Sequence, residues 1–279
     1  MFPSFQKNKF VAVGSSTSGK YPPELARIIQ DRESVSKVKV NLAGIIILAG
    51  VLEFRLMKMA SFLWNLGLLD DVQRTRFSDR EDRMAASFRA NDSAAIESER
   101  QAEWSDLIRV TGFKHGSEFM RDEFSRSPNS TEEHFFNLPE TRRALHAGHR
   151  AFNDGKTIAA HMRPELARSA RSTMESLLIN DSLSLGILYL TGQQDIKFPH
   201  HVFEEFFSSL RWPGAAEYYN AKRCQFRIKN RVVGYYKTAR HFTQVMIRGA
   251  GHIIYGMQPK STFLLIDAFI RNSSIFQCT

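Results

Sequence analysis

The 279-residue chain has no long hydrophobic run. Its longest apolar stretch, Leu42–Leu52 with its glycines, falls far short of the ~20 residues that a membrane helix needs. No segment is therefore expected to span a bilayer. The opening MFPSFQKNKF has no apolar core of the kind a secretory signal carries, so none is expected in the sequence as it stands. Cysteine is scarce: Cys224 and Cys278 allow one disulfide at most, and no C-x-x-C or Cys/His zinc spacing occurs. Neither a metal nor a cofactor is expected. With 9 Pro, 16 Gly, 43% hydrophobic and 24% charged residues, collagen-like, disordered and repeat-fibre classes fall away. The length suits one large α/β domain or two small ones. Positive charge is plentiful, at a formal +9, but Lys and Arg are spread along the chain among 29 acids. That pattern predicts a solvated surface and no nucleic-acid partner.

Four apolar segments rich in β-branched or aromatic residues read as buried strands: Lys9–Val13, Val40–Leu48, Leu185–Leu190 and Phe242–Ile247. Their near-continuous hydrophobicity is that of strands covered by helices on both faces. Between the first two, Glu24–Asp31 reads as a short helix with Leu25, Ile28 and Ile29 on one side, making a strand–helix–strand unit of a parallel sheet. Residues 53–178 differ, being charge-rich, helix-prone and poor in strand signals. They predict a helical insertion, broken by the turn-forming SRSPNST and restarted at Leu138-Pro139-Glu140. A last helix over Pro259–Ile270 carries Phe263, Leu264, Ile266, Phe269 and Ile270 as its apolar face.

Candidate chemistry gathers at three strand ends. Gly14-Ser15-Ser16-Thr17-Ser18-Gly19 follows the first strand, with small residues two before and two after Ser16, as a sharp nucleophile turn demands. Alone, such a turn is as often structural as catalytic. The third strand, however, ends in Thr191-Gly192-Gln193-Gln194-Asp195, and the fourth in Arg248-Gly249-Ala250-Gly251-His252. Parallel strands bring their carboxyl ends to one edge. The chain order Ser, Asp, His is that of the α/β-hydrolases among the common triads.

These residues resemble the serine carboxypeptidases, especially the vitellogenic-like branch. FPSFQKNKFVAVGSSTSGKY is similar to the family's F-P-x-(Y/F)-x-K-N-x-(F/L)-(Y/F)-(V/I)-x-G-E-S-Y-A-G-K-Y. FNLPETRRALHAG resembles its N-(L/x)-P-x-V-R-x-A-(L/I)-H-x-G, and LYLTGQQDIKF its Asp-bearing Y-(N/S)-G-x-x-D-x-I. RGAGHIIYGMQP resembles the closing G-A-G-H-x-x-P-x-D-Q-P. The resemblance implies an α/β-hydrolase fold, here the C-terminal part of the sheet only, with a helical insertion. It implies a single domain over 1–279, truncated at its N-terminus. It also implies Ser16 as nucleophile, Asp195 as acid, His252 as base and the Thr17 backbone N–H as an oxyanion donor. Peptide or protein C-termini are the implied substrates, and a secreted or lysosomal location the implied habitat.

The sequence also departs from the family pattern. The Gly-rich loop and strands that precede the nucleophile strand in the family have no counterpart, which predicts an unpaired apolar edge on the first strand and an aggregation liability. Ser15 replaces the Glu that helps hold a substrate's terminal carboxylate, which makes Ser15 the candidate substrate-binding position. Thr17 replaces Tyr, while Tyr255 and Met257 replace Pro and Asp. A catalytically inactive fragment or diverged member, acting as a binding or structural protein, stays open as the alternative, as does acyl transfer. N-x-S/T sequons at Asn91, Asn129, Asn180 and Asn272 are glycosylation candidates, Asn129 foremost. His146 and His149 are expected on a helix surface, and Trp212, Tyr218 and Tyr219 beneath the last strand. His200 and His201 are compatible with the site mouth or with plain surface.

Overall fold

The computed structural model describes residues 3–54, 58–113, 117–120, 129–149, 151–152, 155–180, 182–273, 276 and 278, with side chains at 129–132 set aside. Six strands form one sheet: β1 (Phe10–Ser15), β2 (Leu42–Leu48), β3 (Gly186–Gly192), β4 (Cys224–Ile228), β5 (Arg231–Ala239) and β6 (Phe242–Ile247). Their spatial order is β1-β2-β3-β6-β5-β4. β1, β2, β3 and β6 are parallel, whereas β5 and β4 return antiparallel. Ser15 pairs with Leu48, Leu48 with Leu190, and Gly192 with Ile247, so the carboxyl ends of the four parallel strands share one edge.

Helix α1 (Tyr21–Asp31) connects β1 to β2. Between β2 and β3 the described regular elements are all helical: α2 (Ala60–Asn65), α3 (Asp71–Arg89), α4 (Ser93–Thr111), α5 (Asn129–Asn137), α6 (Pro139–Ala144), α7 (Lys156–His161), α8 (Arg171–Ile179) and a 3-10 turn at Arg163–Ala167. α9 (His200–Ser208) and α10 (Ala215–Asn220) precede the β4–β5 hairpin, and α11 (Ile254–Met257) and α12 (Pro259–Ile270) close the fold. Asp70 caps α3 by accepting from the Gln73 N–H at 2.7 Å, and Pro139 opens α6 where its missing N–H costs no hydrogen bond.

The strand period divides the core into two layers. Ile45, Ile47, Ile187 and Tyr189 face Leu63, Phe77, Leu177 and Phe207 of the flanking helices. Ile46, Leu188, Leu190 and Val245 face Leu265 and Phe269 of α12. Complete burial of such side chains contributes roughly 1.5–3 kcal/mol each.

Several expectations change on folding. The alternating β4 and β5 were not anticipated: with one apolar residue in two, CQFRI lacks the continuous run that marks the central strands, because only its Cys224/Phe226 face is covered. Leu25 and Ile28 are 40% and 46% exposed, since α1 packs on β1 through Pro22, Pro23 and Ala26 instead. In α12 the buried face is Ser261, Thr262, Leu265, Ala268 and Phe269, and Phe263 points outward. α6 stops at Ala144, so His146, at φ 54°, and His149 lie in the exposed turn after it. Tyr218 is buried against Phe242, and Trp212 is buried too, but Tyr219 is exposed. SRSPNST lies partly outside the described residues, with Asn129 opening α5. β1 pairs with β2 alone among the described strands, and Val13 is 57% exposed beside it.

Between β2 and β3, Glu53, Glu103 and Glu118 are buried and Glu81 is half-buried. Glu81 of α3 accepts from the Met59 and Ala60 N–H groups at 2.5 and 2.7 Å, capping α2. Glu103 of α4 is 1% exposed, and neither of its oxygens has a hydrogen-bond partner among the described residues. Burial, with a smaller push from the neighbouring Asp82, raises Glu81 to about 7, and burial, reinforced by repulsion from Glu81, raises Glu103 to about 8.

Two outcomes follow for stability. An unfolded chain releases these protons near the ordinary carboxyl value of 4.5, so folding holds protons that unfolding gives up. Their contribution is therefore full below that value and lost as pH rises through about 7 to 8. The thermal midpoint should fall between pH 5 and 8, and Glu103→Gln should flatten the fall; a midpoint that climbs over this range, or an unflattened profile in Glu103→Gln, contradicts the assignment. Separately, Cys224 and Cys278 form a disulfide across a sequence separation of 54. Replacing both by Ser should lower the unfolding free energy in urea by about 4 kcal/mol, and an unchanged urea midpoint argues against a stabilising bridge.

Candidate active site

Ser16 occupies the turn between β1 and a short 3-10 helix, Ser16–Lys20, at φ 57°. That left-handed conformation costs an ordinary residue of order 1–3 kcal/mol and persists only where its surroundings impose it. Here the Ser16 carbonyl accepts from the Val51 N–H at 2.9 Å, in the loop after β2. Ser18 Oγ accepts from the Ser15 N–H at 2.9 Å and donates to the Ser15 carbonyl at 2.7 Å. Close approach explains the flanking glycines. A methyl group at Gly14 would sit 2.4 Å from the Ser18 carbonyl oxygen, and one at Gly19 would sit 2.5 Å from Gly50 Cα. Lys20, buried behind the turn, donates from Nζ to the carbonyls of Glu165 and Arg168 at 2.6 and 2.5 Å. It thereby ties the serine turn to the helical layer, and burial draws its ammonium down to about 8.

The other strand ends supply the partners. Asp195 is fully buried; its Oδ1 accepts from the Lys197 and Phe198 N–H groups at 2.9 and 3.0 Å. Its loop is braced by Gln193 N–H to Ile247 O at 2.9 Å and Gln194 N–H to Ala250 O at 2.8 Å. His252 follows β6, donating its backbone N–H to Ser117 O at 2.7 Å, with the Phe198 ring centroid 5.2 Å from the imidazole.

The structure brings all three side chains together. His252 Nδ1 lies 2.9 Å from Asp195 Oδ2, and His252 Nε2 lies 2.9 Å from Ser16 Oγ. An ionised carboxylate only accepts, which places the imidazole proton on Nδ1 and turns the Nε2 lone pair towards the serine hydroxyl. This arrangement can withdraw a proton from Ser16 and return it to a leaving group. Ser16 and Thr17 open onto a cavity of about 790 Å³, whose walls include Phe54, Met59, Trp104 and Phe198. Glu103 lines it as well. A second cavity, of about 340 Å³, lies by Leu185, His241 and Thr243 at the amino ends of the strands, away from this chemistry.

Other candidate residues lie elsewhere. Ser15 is half-buried and is not among the residues lining the larger cavity. His200 and His201 open α9: His200 Nδ1 lies 2.8 Å from Thr191 Oγ1, and His201 Nε2 3.1 Å from Lys58 O, so both brace that helix away from the cavity. Asn91, Asn180 and Asn272 are exposed. Among the described residues no group of three or more His, Cys, Asp or Glu side chains is placed to hold a metal, and no helix is long and apolar enough to cross a membrane. The anchoring roles of Lys20, Val51 and the Lys197 and Phe198 amides escaped sequence reasoning. Only the G-K-Y that ends the opening motif marked one of them.

Residues 1–272 match the serine carboxypeptidase family. A probable serine carboxypeptidase CPVL of Pongo abelii is 31% identical over 97% of this chain and 58% of its own length. The venom serine carboxypeptidase of Apis mellifera is 27% identical over 98% of this chain and 60% of its own length. The vitellogenic carboxypeptidase of Aedes aegypti is 28% identical over 96% of this chain and 58% of its own length. The chain thus spans somewhat over half the length of the curated relatives it matches. A solved structure, Kex1Δp, a prohormone-processing carboxypeptidase of Saccharomyces cerevisiae, superposes with a TM-score of 0.69 over 98% of this chain and 63% of the other, at 17% identity. The fold is that of an α/β-hydrolase, and the chain belongs to the serine carboxypeptidase family.

Proposed function

We propose that this chain is built for serine carboxypeptidase chemistry, the hydrolysis of C-terminal peptide bonds. The observation that carries the proposal is the continuous contact from Asp195 through His252 to Ser16, at 2.9 Å on each side. In this reading His252 Nε2 takes the hydroxyl proton as Ser16 Oγ attacks the scissile carbonyl. The Thr17 N–H, at the start of the 3-10 helix, receives the developing oxyanion; one such donor is typically worth about 3–4 kcal/mol. His252 then protonates the leaving amine, leaving an acyl group on Ser16. A water, deprotonated by His252, releases the shortened peptide. Asp195 holds the tautomer and stabilises the imidazolium that forms in each half-reaction.

The disulfide Cys224–Cys278 supports a secreted or lysosomal setting, where such bonds persist. The exposed sequons at Asn91, Asn180 and Asn272, with Asn129, are proposed glycan acceptors there. A second reading, a non-catalytic family member that binds peptides, is favoured by Ser15 standing where the family has Glu and lying outside the cavity wall.

A fluorophosphonate probe separates the two. Covalent labelling should map to Ser16, disappear in Ser16→Ala and slow by about 10³-fold or more in His252→Ala. A folded protein that leaves the probe unreacted contradicts the catalytic reading.

A further inference from the structure

The formal charge of +9 is not distributed as its overall interleaving suggests. Between Glu217 and Asp267 the chain has no acidic residue, and this stretch holds nine of the 38 Lys and Arg. The remaining 29 are balanced by the 29 acids, so the whole excess resides in residues 218–266. Because these cations alternate with the apolar residues of strands, no contiguous basic block betrays them in the sequence.

The fold lays six of the nine along one margin of the sheet, while Lys237 and Arg240 pair with Glu204 and Glu217 and Lys260 lies in α12. Lys222 and Arg223 precede β4, Arg227 lies within it, and Lys229 and Arg231 flank the β4–β5 turn. All five are exposed. At roughly 3.3 Å per residue, Arg223 to Lys229 spans about 20 Å. Arg248, exposed after β6, donates from Nη1 to Val232 O at 3.1 Å, and Arg227 donates from Nη1 to Asn230 O at 3.1 Å, so the two guanidinium groups reach backbone two residues apart at the β4–β5 turn and the start of β5. Lys222, Arg227, Lys229, Arg231 and Arg248 form no ion pair with any described carboxylate. Glu204, which Arg223 influences electrostatically, is already shared by His200 and Lys237.

We propose that this margin binds a linear sulfated polysaccharide. Guanidinium forks match the tetrahedral oxygens of sulfate, and a single row one strand wide suits one polyanionic chain. B-DNA instead presents two phosphate rows astride a groove. Single-stranded nucleic acid needs free aromatic faces, but the Tyr235 ring is already covered by Arg223 at 4.3 Å. An anionic membrane favours an apolar tip for insertion, whereas the turn here is Lys229-Asn230. Protecting the β4 edge from aggregation would need only a charge or two on β4 itself. That purpose leaves the turn residues and Arg248 unexplained.

The test uses heparin as the probe and the full chain. A triple variant, Arg227→Ser, Lys229→Ser and Arg231→Ser, is compared with a control triple of equal charge, Arg32→Ser, Lys37→Ser and Arg89→Ser, all six residues being exposed. Circular dichroism and the thermal midpoint verify that both fold. The hairpin triple should bind heparin about tenfold more weakly than the parent, and the control less than about twofold. Equal weakening in both triples means net charge alone and overturns the site. So does retention on heparin no stronger than on a sulfopropyl exchanger. Tighter binding to phosphatidylserine vesicles or to DNA than to heparin overturns the assignment to a polysaccharide.

Discussion

Ser16 held at φ 57° is the constraint on which the rest of the site depends. A turn this sharp, from strand directly into helix, exposes the Ser16 hydroxyl by holding its own residue in that strained conformation. The neighbours exist to enforce it. Gly14 and Gly19 leave room for backbone to approach, the Val51 N–H fixes the serine carbonyl, and Lys20 anchors the turn to Glu165 and Arg168. Parallel register does the remainder, since Asp195 and His252 leave β3 and β6 at the same sheet edge. Nothing links these three residues in the sequence, where 236 positions separate Ser16 from His252.

The helical layer between β2 and β3 gives the site its wall and its polarity. Trp104 and Phe54 supply apolar surface, while Lys20 and Glu103 are ionisable groups carried into poor solvent. Burial moves both towards neutrality, the lysine downward and the carboxyl group upward. Near neutral pH Glu103 is therefore largely protonated, whereas Lys20 keeps most of its charge.

How much of this was legible in the sequence depends on the kind of signal. The central strands announced themselves because burial on both faces demands unbroken apolar runs, as in LAGIIIL and GILYLTG. The convergence of Ser16, Asp195 and His252 was legible because strand ends carry them and because the flanking motifs resemble a family. β4 and β5 were not, since half-covered strands rich in Arg and Lys look like surface loops. The apolar stripe of α1 misled because the helix buries Pro22, Pro23 and Ala26 and leaves Leu25 and Ile28 exposed. The anchors of Asp195 were invisible because they are backbone amides of Lys197 and Phe198, which no side-chain pattern encodes.

The central claim is that Ser16, His252 and Asp195 act as one hydrogen-bonded unit. The most direct measurement is the proton NMR spectrum of the His252 ring N–H. A strongly deshielded Nδ1 proton should be present in the native protein and absent from both Asp195→Asn and His252→Ala. A native spectrum without that resonance, or a resonance that persists unchanged in Asp195→Asn, would contradict the account.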